Sequence, residues 1–256
     1  MSTHVGIGEL VRPLWPFTIN RDSPQAQGLV RWWPLGYWPD HEFDMVANQQ
    51  LTNTATVVQT DVKMRVRRDF PTSHTLKSSL AVLTSVPLSL AAWINLGTPF
   101  TTKGVLSLDD NSTSNQFSIR VNDTFIECRT NNSGATCSVA IGIGAWNHGL
   151  ATFTSATSRA IFTNGVDKQT GTTDKTPSGI NTTTVGEAPD GTQEFDGKLS
   201  DLRIYNRVLT DREAASYFSD PRLSLDLYYP LGRRTWSFPK KPTAATILAS
   251  SFGTIF

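Results

Sequence analysis

The sequence predicts an all-β domain of short antiparallel strands, with one short helix near its C-terminal end and an extended arm at each terminus. Short apolar runs alternate with turn residues across residues 28–220, one segment has the sequence of a helix start, and both ends are rich in proline and aromatic residues. This cadence of strands and turns is typical of a sandwich or barrel. We therefore divide the chain into an N-terminal arm (1–27), one domain (28–220) and a C-terminal arm (221–256).

The arms differ in composition from the domain. In the N-terminal arm, Pro13 and Pro16 exclude a helix around Trp15 and Phe17, because proline removes a backbone donor and clashes with the preceding turn. The end of the C-terminal arm is apolar and lies outside the main pattern of strands. Such a surface must be buried, either against the chain's own sandwich or against a neighbouring subunit. We predict that the aromatic residues of both arms serve as assembly contacts: Trp15, Phe17, Tyr228, Tyr229, Trp236, Phe238, Phe252 and Phe256.

Local patterns predict the strands and the helix. Residues 117–121 alternate apolar and polar side chains with the period of a strand, and Asn164 with Gly165 forms a hairpin-turn pair. Thr210 and Glu213 have the spacing of a capping box, so we expect a short helix that begins at this point.

Composition excludes several classes of protein. The 23 lysine and arginine residues nearly balance the 22 acidic residues, whereas binding to a phosphate backbone requires a basic excess. No apolar run reaches the length of about 18 residues that a membrane span needs. The N-terminus has no charged segment followed by an apolar core, so we predict no signal peptide.

The two cysteines, Cys128 and Cys137, flank a turn-like segment at residues 131–134. They either form a disulfide across two strands or remain reduced thiols. The lack of a secretion signal favours the thiols. They do not form a zinc site, which takes about four ligands.

Six segments share a pattern with one known family, in chain order. They are GLVRWWPL (28–35), DMVANQQL (44–51), PLSLAAWI (87–94), AWNHGLA (145–151), IFTNG (161–165) and FDGKLSDLRIYNRVLT (195–210). Together they resemble the laminin G-like (concanavalin A-like) family over residues 28–220, and the last segment is the most specific. The resemblance implies an all-β, two-sheet antiparallel jelly-roll sandwich, but it implies no single activity.

The same resemblance implies two binding roles. Asp201 matches an aspartate that often holds a structural calcium ion in this family, and Asp44 is its candidate partner; the alternative is that Asp201 accepts hydrogen bonds from loop amides. No cofactor is otherwise expected. Carbohydrate binding would use exposed aromatic rings and loop polar groups, and the candidates are Trp33, Tyr37, Trp38, Asp109, Asp110 and Asn111.

Catalytic patterns are incomplete. His41 and Glu42 begin like a zinc-protease helix, but Met45 stands where the second histidine is required. Glu42 and Asp44 begin like the catalytic strand of jelly-roll glycosidases, yet no further acid follows until Asp61. We therefore predict that the chain is not an enzyme.

Two functional hypotheses follow. The first is a non-enzymatic virion structural protein of a tailed bacteriophage, a capsid decoration or accessory surface protein. It would be made in the host cytoplasm without a signal peptide and would bind other virion proteins and itself through its arms. Residues 228–240 also resemble the tails of phage structural proteins. The alternative is a carbohydrate-binding adhesion module of a tail fibre or cell-surface protein, with host-surface glycans as ligands. Neither hypothesis involves nucleic acid or a membrane.

Overall fold

A computed structural model describes residues 17–54, 56–61, 65–71, 74–99, 101–131, 133–136, 139–219 and 228–230. For residues 17, 18, 60, 61, 65, 66, 136 and 228–230 it describes the backbone alone.

Antiparallel strands form nearly all of the regular structure. The strands are β1 (Phe17–Ile19), β2 (Leu29–Trp33), β3 (His41–Phe43), β4 (Gln50–Thr54), β5 (Val57–Asp61), β6 (Arg65–Phe70), β7 (Thr75–Ser78), β8 (Leu88–Leu96), β9 (Thr102–Asp109), β10 (Gln116–Asn122), β11 (Phe125–Thr130), β12 (Ser133–Thr136), β13 (Trp146–Ser155), β14 (Ser158–Thr163), β15 (Asp167–Gly171), β16 (Thr182–Val185), β17 (Gly197–Tyr205) and β18 (Tyr228–Pro230). One α-helix, α1 (Asp211–Ser219), follows β17.

Two large sheets pack face to face. The front sheet has the strand order β12-β11-β10-β9-β16-β7-β4-β3, so β3 is an edge strand. The back sheet has the order β15-β14-β13-β8-β17-β6-β5, and β2 also pairs with β17. This arrangement confirms the predicted all-β, two-sheet antiparallel jelly-roll sandwich with one short helix.

The main hydrophobic core lies between the two sheets, because alternate strand residues point inward. Leu106, Ile119 and Ile204 are among its fully buried members. A second cluster, which includes Leu150 and Tyr205, packs beneath α1 on the other face of the back sheet. The back sheet is therefore buried on both faces there.

The predicted capping box begins the helix. The Thr210 amide donates to Glu213 Oε2 (2.9 Å), and the Glu213 amide donates to Thr210 Oγ1 (3.3 Å). Two first-turn amides are thus satisfied, as the sequence predicted. In the part of the chain that the structure describes, no helix has the length and apolarity needed to cross a membrane.

The N-terminal boundary of the domain lies earlier than the predicted residue 28. Ile19 and Ala26 pack against the cluster beneath α1. Gln25 is buried, and its Oε1 accepts a hydrogen bond from Arg203 Nη1 (2.9 Å). Residues 19–27 therefore belong to the folded domain, because they contribute to its core and its buried polar network.

The two arms meet at their inner ends. β1 pairs with β18, with Phe17 opposite Pro230, Thr18 opposite Tyr229 and Ile19 opposite Tyr228. The other predicted assembly residues lie outside the described residues: Trp15, Trp236, Phe238, Phe252 and Phe256.

The predicted cysteine hairpin is present, but its register differs from a direct pairing. Cys128 is buried on β11 and pairs with Ala135 on β12. Cys137 lies two positions beyond Ala135, outside the described residues.

Candidate functional site

A tight turn connects the buried strand β2 to the edge strand β3. Leu35 and Gly36 both have positive φ angles, 60° and 89°. A side chain at Gly36 would stand 2.5 Å from the Arg67 carbonyl oxygen, so only glycine fits. The turn places the next residues, Tyr37 and Trp38, at the surface beside β3.

A buried arginine fastens this loop to the sandwich. The side chains of Arg68 and Glu42 are both fully buried, and Arg68 Nη2 lies 2.8 Å from Glu42 Oε1. The same guanidinium donates to the carbonyls of Pro39 (3.1 Å), His41 (3.1 Å) and Trp38. Because a guanidinium presents its donors in a rigid fork, one side chain fixes three backbone positions of the loop.

Glu42 does not face solvent. Burial raises its pKa to about 7, although the Arg68 charge and the Gly36 amide, 2.5 Å from Oε1, oppose this shift. The carboxyl group that resembled the start of a glycosidase motif is therefore an internal anchor of the loop.

Four aromatic rings form a half-buried cluster on this anchored segment, here called the aromatic cluster: Tyr37, Trp38, His41 and Phe43. The Trp38 and His41 rings stack with centroids 6.1 Å apart, and Phe43 packs edge-on against both, at 5.4 Å and 4.5 Å. Tyr37 lies 5.9 Å from Trp38. The rings support one another, so the cluster keeps a fixed shape at the sheet edge.

An open cleft adjoins the aromatic cluster. His41 pairs with Thr52, and Phe43 pairs with Gln50, which places these four side chains on one face of the sheet. The cleft, here called the β4–β7 cleft, has a volume of about 680 Å³. Its lining is Arg31, Ala47, Asn48, Gln49, Gln50, Thr52, Lys77, Ser78, Ser79 and Leu80.

Gln49 ties the two walls of the cleft together. Its Oε1 accepts from Arg31 Nε (2.7 Å), and its Nε2 donates to Ser78 Oγ (2.5 Å) and to the Leu80 carbonyl (3.1 Å). The side chain is buried, so these bonds form in a medium of low dielectric constant. The two walls are consequently held at a fixed separation.

The described residues of the cleft lining include two cations and no carboxylate. Arg31 Nε lies 3.3 Å from Asp44, and Lys77 forms an ion pair with Glu187. The Arg31 and Lys77 side chains are 20% and 38% exposed, whereas Asp44 and Glu187 are 0% and 9% exposed. The positive groups therefore reach the cleft, and the acidic groups stand behind them.

Of the predicted sugar-binding aromatics, two lie in the cluster and one does not. Tyr37 and Trp38 are half exposed, as stacking on a sugar requires. The prediction that Trp33 contacts a sugar is wrong, because this side chain is fully buried in the core between the sheets. It donates its indole N–H to the Gln49 carbonyl (3.3 Å). His41 and Phe43 were missed, although their spacing of two along an edge strand would place both rings on one face.

The predicted polar loop lies apart from the aromatic cluster. Asp109, on β9, is fully buried and accepts hydrogen bonds from Ser107 Oγ (2.6 Å) and the Asn111 amide (2.9 Å), and burial raises its pKa. Asp110 accepts from Asn115 Nδ2 (2.8 Å) within its own loop. Four strand spacings separate β9 from β3. The structure therefore does not bring Asp109, Asp110 and Asn111 to the aromatic cluster.

Asp44 does not offer its oxygens to a metal ion. Its carboxylate accepts the amides of Trp32 (2.8 Å), Val46 (2.9 Å) and Ala47 (2.9 Å). Burial raises its pKa, an effect that these amides and Arg31 oppose. The carboxylate closes the loop after β3.

The Asp201 carboxylate holds the cationic side chain of Arg203. Arg203 donates to both of its oxygens, at 3.1 Å and 2.7 Å, and Trp32 Nε1 donates to Oδ1 at 2.6 Å. With these donors in place, Asp44 and Asp201 do not fit a calcium site, which takes six to eight oxygen ligands. Among the described residues, no group of three or more His, Cys, Asp or Glu side chains is arranged to hold a metal ion.

Comparison with solved structures shows the same fold in carbohydrate-related proteins. Domain 4 of AbnA, an extracellular arabinanase of Geobacillus stearothermophilus solved with arabinotriose, has a TM-score of 0.60 at 15% identity and covers 73% of this chain and 97% of that domain. Trypanosoma rangeli sialidase has a TM-score of 0.59 at 10% identity, but the match covers 74% of this chain and 32% of the sialidase.

The binding domain of botulinum neurotoxin DC, solved in complex with SialylT, has a TM-score of 0.56 at 14% identity. The match covers 76% of this chain and 52% of that one. At these identities the likeness establishes the fold alone.

Sequence comparison assigns the family. No curated protein matches this sequence. A family model described as the concanavalin A-like lectin/glucanases superfamily matches residues 70–215, which is more than half of the 256 residues. The chain therefore belongs to the concanavalin A-like lectin/glucanases superfamily.

Proposed function

We propose that this chain is a non-catalytic carbohydrate-binding module whose ligand site is the aromatic cluster with the adjoining β4–β7 cleft. The observation that carries the proposal is a cluster of half-exposed rings, held by a buried arginine, in which His41 and Phe43 share a sheet face with Gln50 and Thr52 of an open polar cleft. Ligand sites commonly combine an apolar platform with a few fixed polar groups in this way.

The two parts of the site suit the two kinds of surface on a sugar. A sugar ring presents C–H groups on its faces and hydroxyl groups at its rim. Trp38 and its neighbours offer a rigid apolar platform for the face. The side chains of Gln50, Thr52 and Ser79 are exposed in the cleft lining and can exchange hydrogen bonds with hydroxyl groups.

The structural neighbours support this proposal. One is a domain solved with arabinotriose, and another is a binding domain solved with SialylT. Both share the sandwich with this chain, and the match covers 97% of the arabinanase domain and 52% of the neurotoxin binding domain. They favour the carbohydrate-binding hypothesis over the virion structural hypothesis.

The site also supports a non-catalytic role. Glycoside hydrolysis of the common type uses two carboxyl groups that flank the scissile bond. The described lining of the β4–β7 cleft has no acidic side chain, and Glu42 is buried on the core side of β3.

A glycan array with wild type and a Trp38→Ala variant tests the proposal. We expect wild type to bind, and Trp38→Ala to lose at least about tenfold in affinity, or 1.4 kcal/mol. Trp146→Ala is the matched control, because Trp146 is a half-buried tryptophan on the back sheet. Silence of wild type on the array, or equal binding by a folded Trp38→Ala variant, would overturn the proposal.

Assembly into a bacteriophage virion stays a prediction from the arms. Under that hypothesis, deletion of residues 239–256 abolishes association with particles, and a truncated chain that still joins particles would contradict it.

A further inference from the structure

We infer that the β4–β7 cleft selects acidic glycans, meaning saccharides that carry a carboxylate or sulfate group. This inference deepens the proposed function and rests on it. The feature that carries it is a cleft lined by two cations whose donors are only partly used.

Arg31 has an unused donor group at the cleft. Its Nε donates to Gln49, and its Nη1 donates to the Val30 carbonyl (2.7 Å). Among the described residues, Nη2 has no hydrogen-bond partner. A guanidinium is always charged, so this free end offers charge-assisted hydrogen bonds to an anion.

Lys77 contributes a second cation from the opposite wall. Its side chain is 38% exposed and pairs with Glu187. An ammonium group has three donors, so one ion pair leaves capacity for a ligand oxygen. Lys77 pairs with Thr52 across the sheet, which places the ammonium on the same face as the aromatic cluster.

The acidic groups around the cleft do not cancel this charge at the ligand surface. Asp44 is fully buried and its oxygens accept three backbone amides. Glu187 is 9% exposed, and Asp109, which also attracts the Lys77 charge, is fully buried. A ligand in the cleft therefore meets two cations directly, and meets the carboxylates only through protein.

Gln49 makes the arrangement rigid. It joins the Arg31 wall to the Ser78 wall through 2.7 Å and 2.5 Å hydrogen bonds. Preorganised donors cost little reorganisation when an anion binds. A neutral sugar would gain the stacking, and its hydroxyl oxygens could accept from these donors, but it would supply no negative charge to pair with them.

The test compares glycan pairs in which one member has fewer or no acidic groups: sialyllactose against its methyl ester, oligogalacturonate against its methyl ester, and sulfated heparin fragments against desulfated, carboxyl-reduced ones. We expect the acidic member of at least one pair to bind about tenfold more tightly, the size expected for one charge-assisted hydrogen bond. The preference should shrink at about 0.5 M salt, where screening is strong.

Charge variants locate the effect. Lys77→Gln should abolish most of the preference, whereas Lys168→Gln should leave it intact. Lys168 is the matched control, since it is 40% exposed and lies on the back sheet. If Lys77→Gln fails to fold, the double variant Lys77→Gln/Glu187→Gln, which removes both charges of the ion pair, takes the place of the single variant in this test.

The outcomes separate the two claims. Equal binding of both members of every pair, lost in Trp38→Ala, overturns the acidic preference and leaves the proposed function in place. A preference that survives loss of the Lys77 charge also overturns the inference. Absence of binding to every glycan, acidic or neutral, overturns both.

Discussion

Replacing Asp201 by asparagine should destabilise the protein by about 3–5 kcal/mol, because it leaves a buried guanidinium without its counter-ion. Arg203 is 3% exposed and Asp201 is 1% exposed. Burial alone would lower the pKa of Arg203, yet the Asp201 charge holds it above its ordinary value. The ion pair therefore strongly favours the charged arginine.

The magnitude follows from the bonds that the substitution removes. Asparagine keeps one oxygen, which can still accept from Trp32 Nε1, at 2.6 Å in wild type. Its amide nitrogen cannot accept from Arg203 Nη2, now 2.7 Å from the second carboxylate oxygen. In the variant, the Arg203 Nη2 donor faces the amide donor of the asparagine in a buried site. The negative charge that balanced Arg203 is also gone.

Urea denaturation followed by tryptophan fluorescence measures the change. Asp211→Asn is the control, because the Asp211 and Lys168 side chains are 70% and 40% exposed, and a surface pair contributes about 0–1 kcal/mol. Wild type should show the same midpoint with and without a chelator. The reasoning fails if Asp201→Asn costs no more than Asp211→Asn, or if the chelator lowers the wild-type midpoint as much as the substitution does.

Three further predictions concern stability. Because burial raises the pKa of Glu42 to about 7, the stability linked to its protonated form is fully present below pH 4.5 and is lost as the pH rises through about 7. Glu42→Gln should therefore flatten the fall of the urea midpoint across this window; an unchanged slope would contradict it. Trp33→Ala should cost about 3–5 kcal/mol in urea, and Trp38→Ala much less, because only Trp33 is fully buried; equal costs would count against the assignment. Gly104→Ala should cost about 1–3 kcal/mol in thermal denaturation, since its methyl group would collide with the Glu187 carbonyl; an unaltered melting temperature would refute this.

Local patterns in the sequence predicted much of the fold. The capping box at Thr210 and Glu213 is a signal confined to four residues, and the helix begins where it predicts. Leu202 and Ile204 are two apart on a strand, and both are fully buried between the sheets. Such signals work because the period of a strand and the first turn of a helix depend on near neighbours.

The candidate site depended on packing that the sequence does not display. Trp32 and Trp33 are adjacent, so one would expect at least one of them at the surface. Both are buried because β2 lies in a sheet covered on both faces: Trp32 packs beneath α1 and Trp33 between the sheets. In this part of the chain, the partly exposed aromatic rings are consequently those after the turn at Gly36.

The cleft is formed by residues distant in sequence. Arg31, Gln49 and Lys77 come from three separate segments, and the strand order of the front sheet brings the last two together. The ion pair at Asp201 did have a local signal in the sequence. Arg203 follows Asp201 by two residues, and an adjacent arginine competes with a metal ion for the same carboxylate oxygens.

Proton NMR of the histidine side chains during glycan titration tests the central claim most directly. Of the four histidines, His41 lies in the aromatic cluster and His148 is 3% exposed on the back sheet. We predict that a bound glycan shifts the His41 imidazole resonances in proportion to occupancy and leaves those of His148 in place. Saturable binding that leaves the His41 resonances unmoved would contradict the assignment of the ligand site to the aromatic cluster.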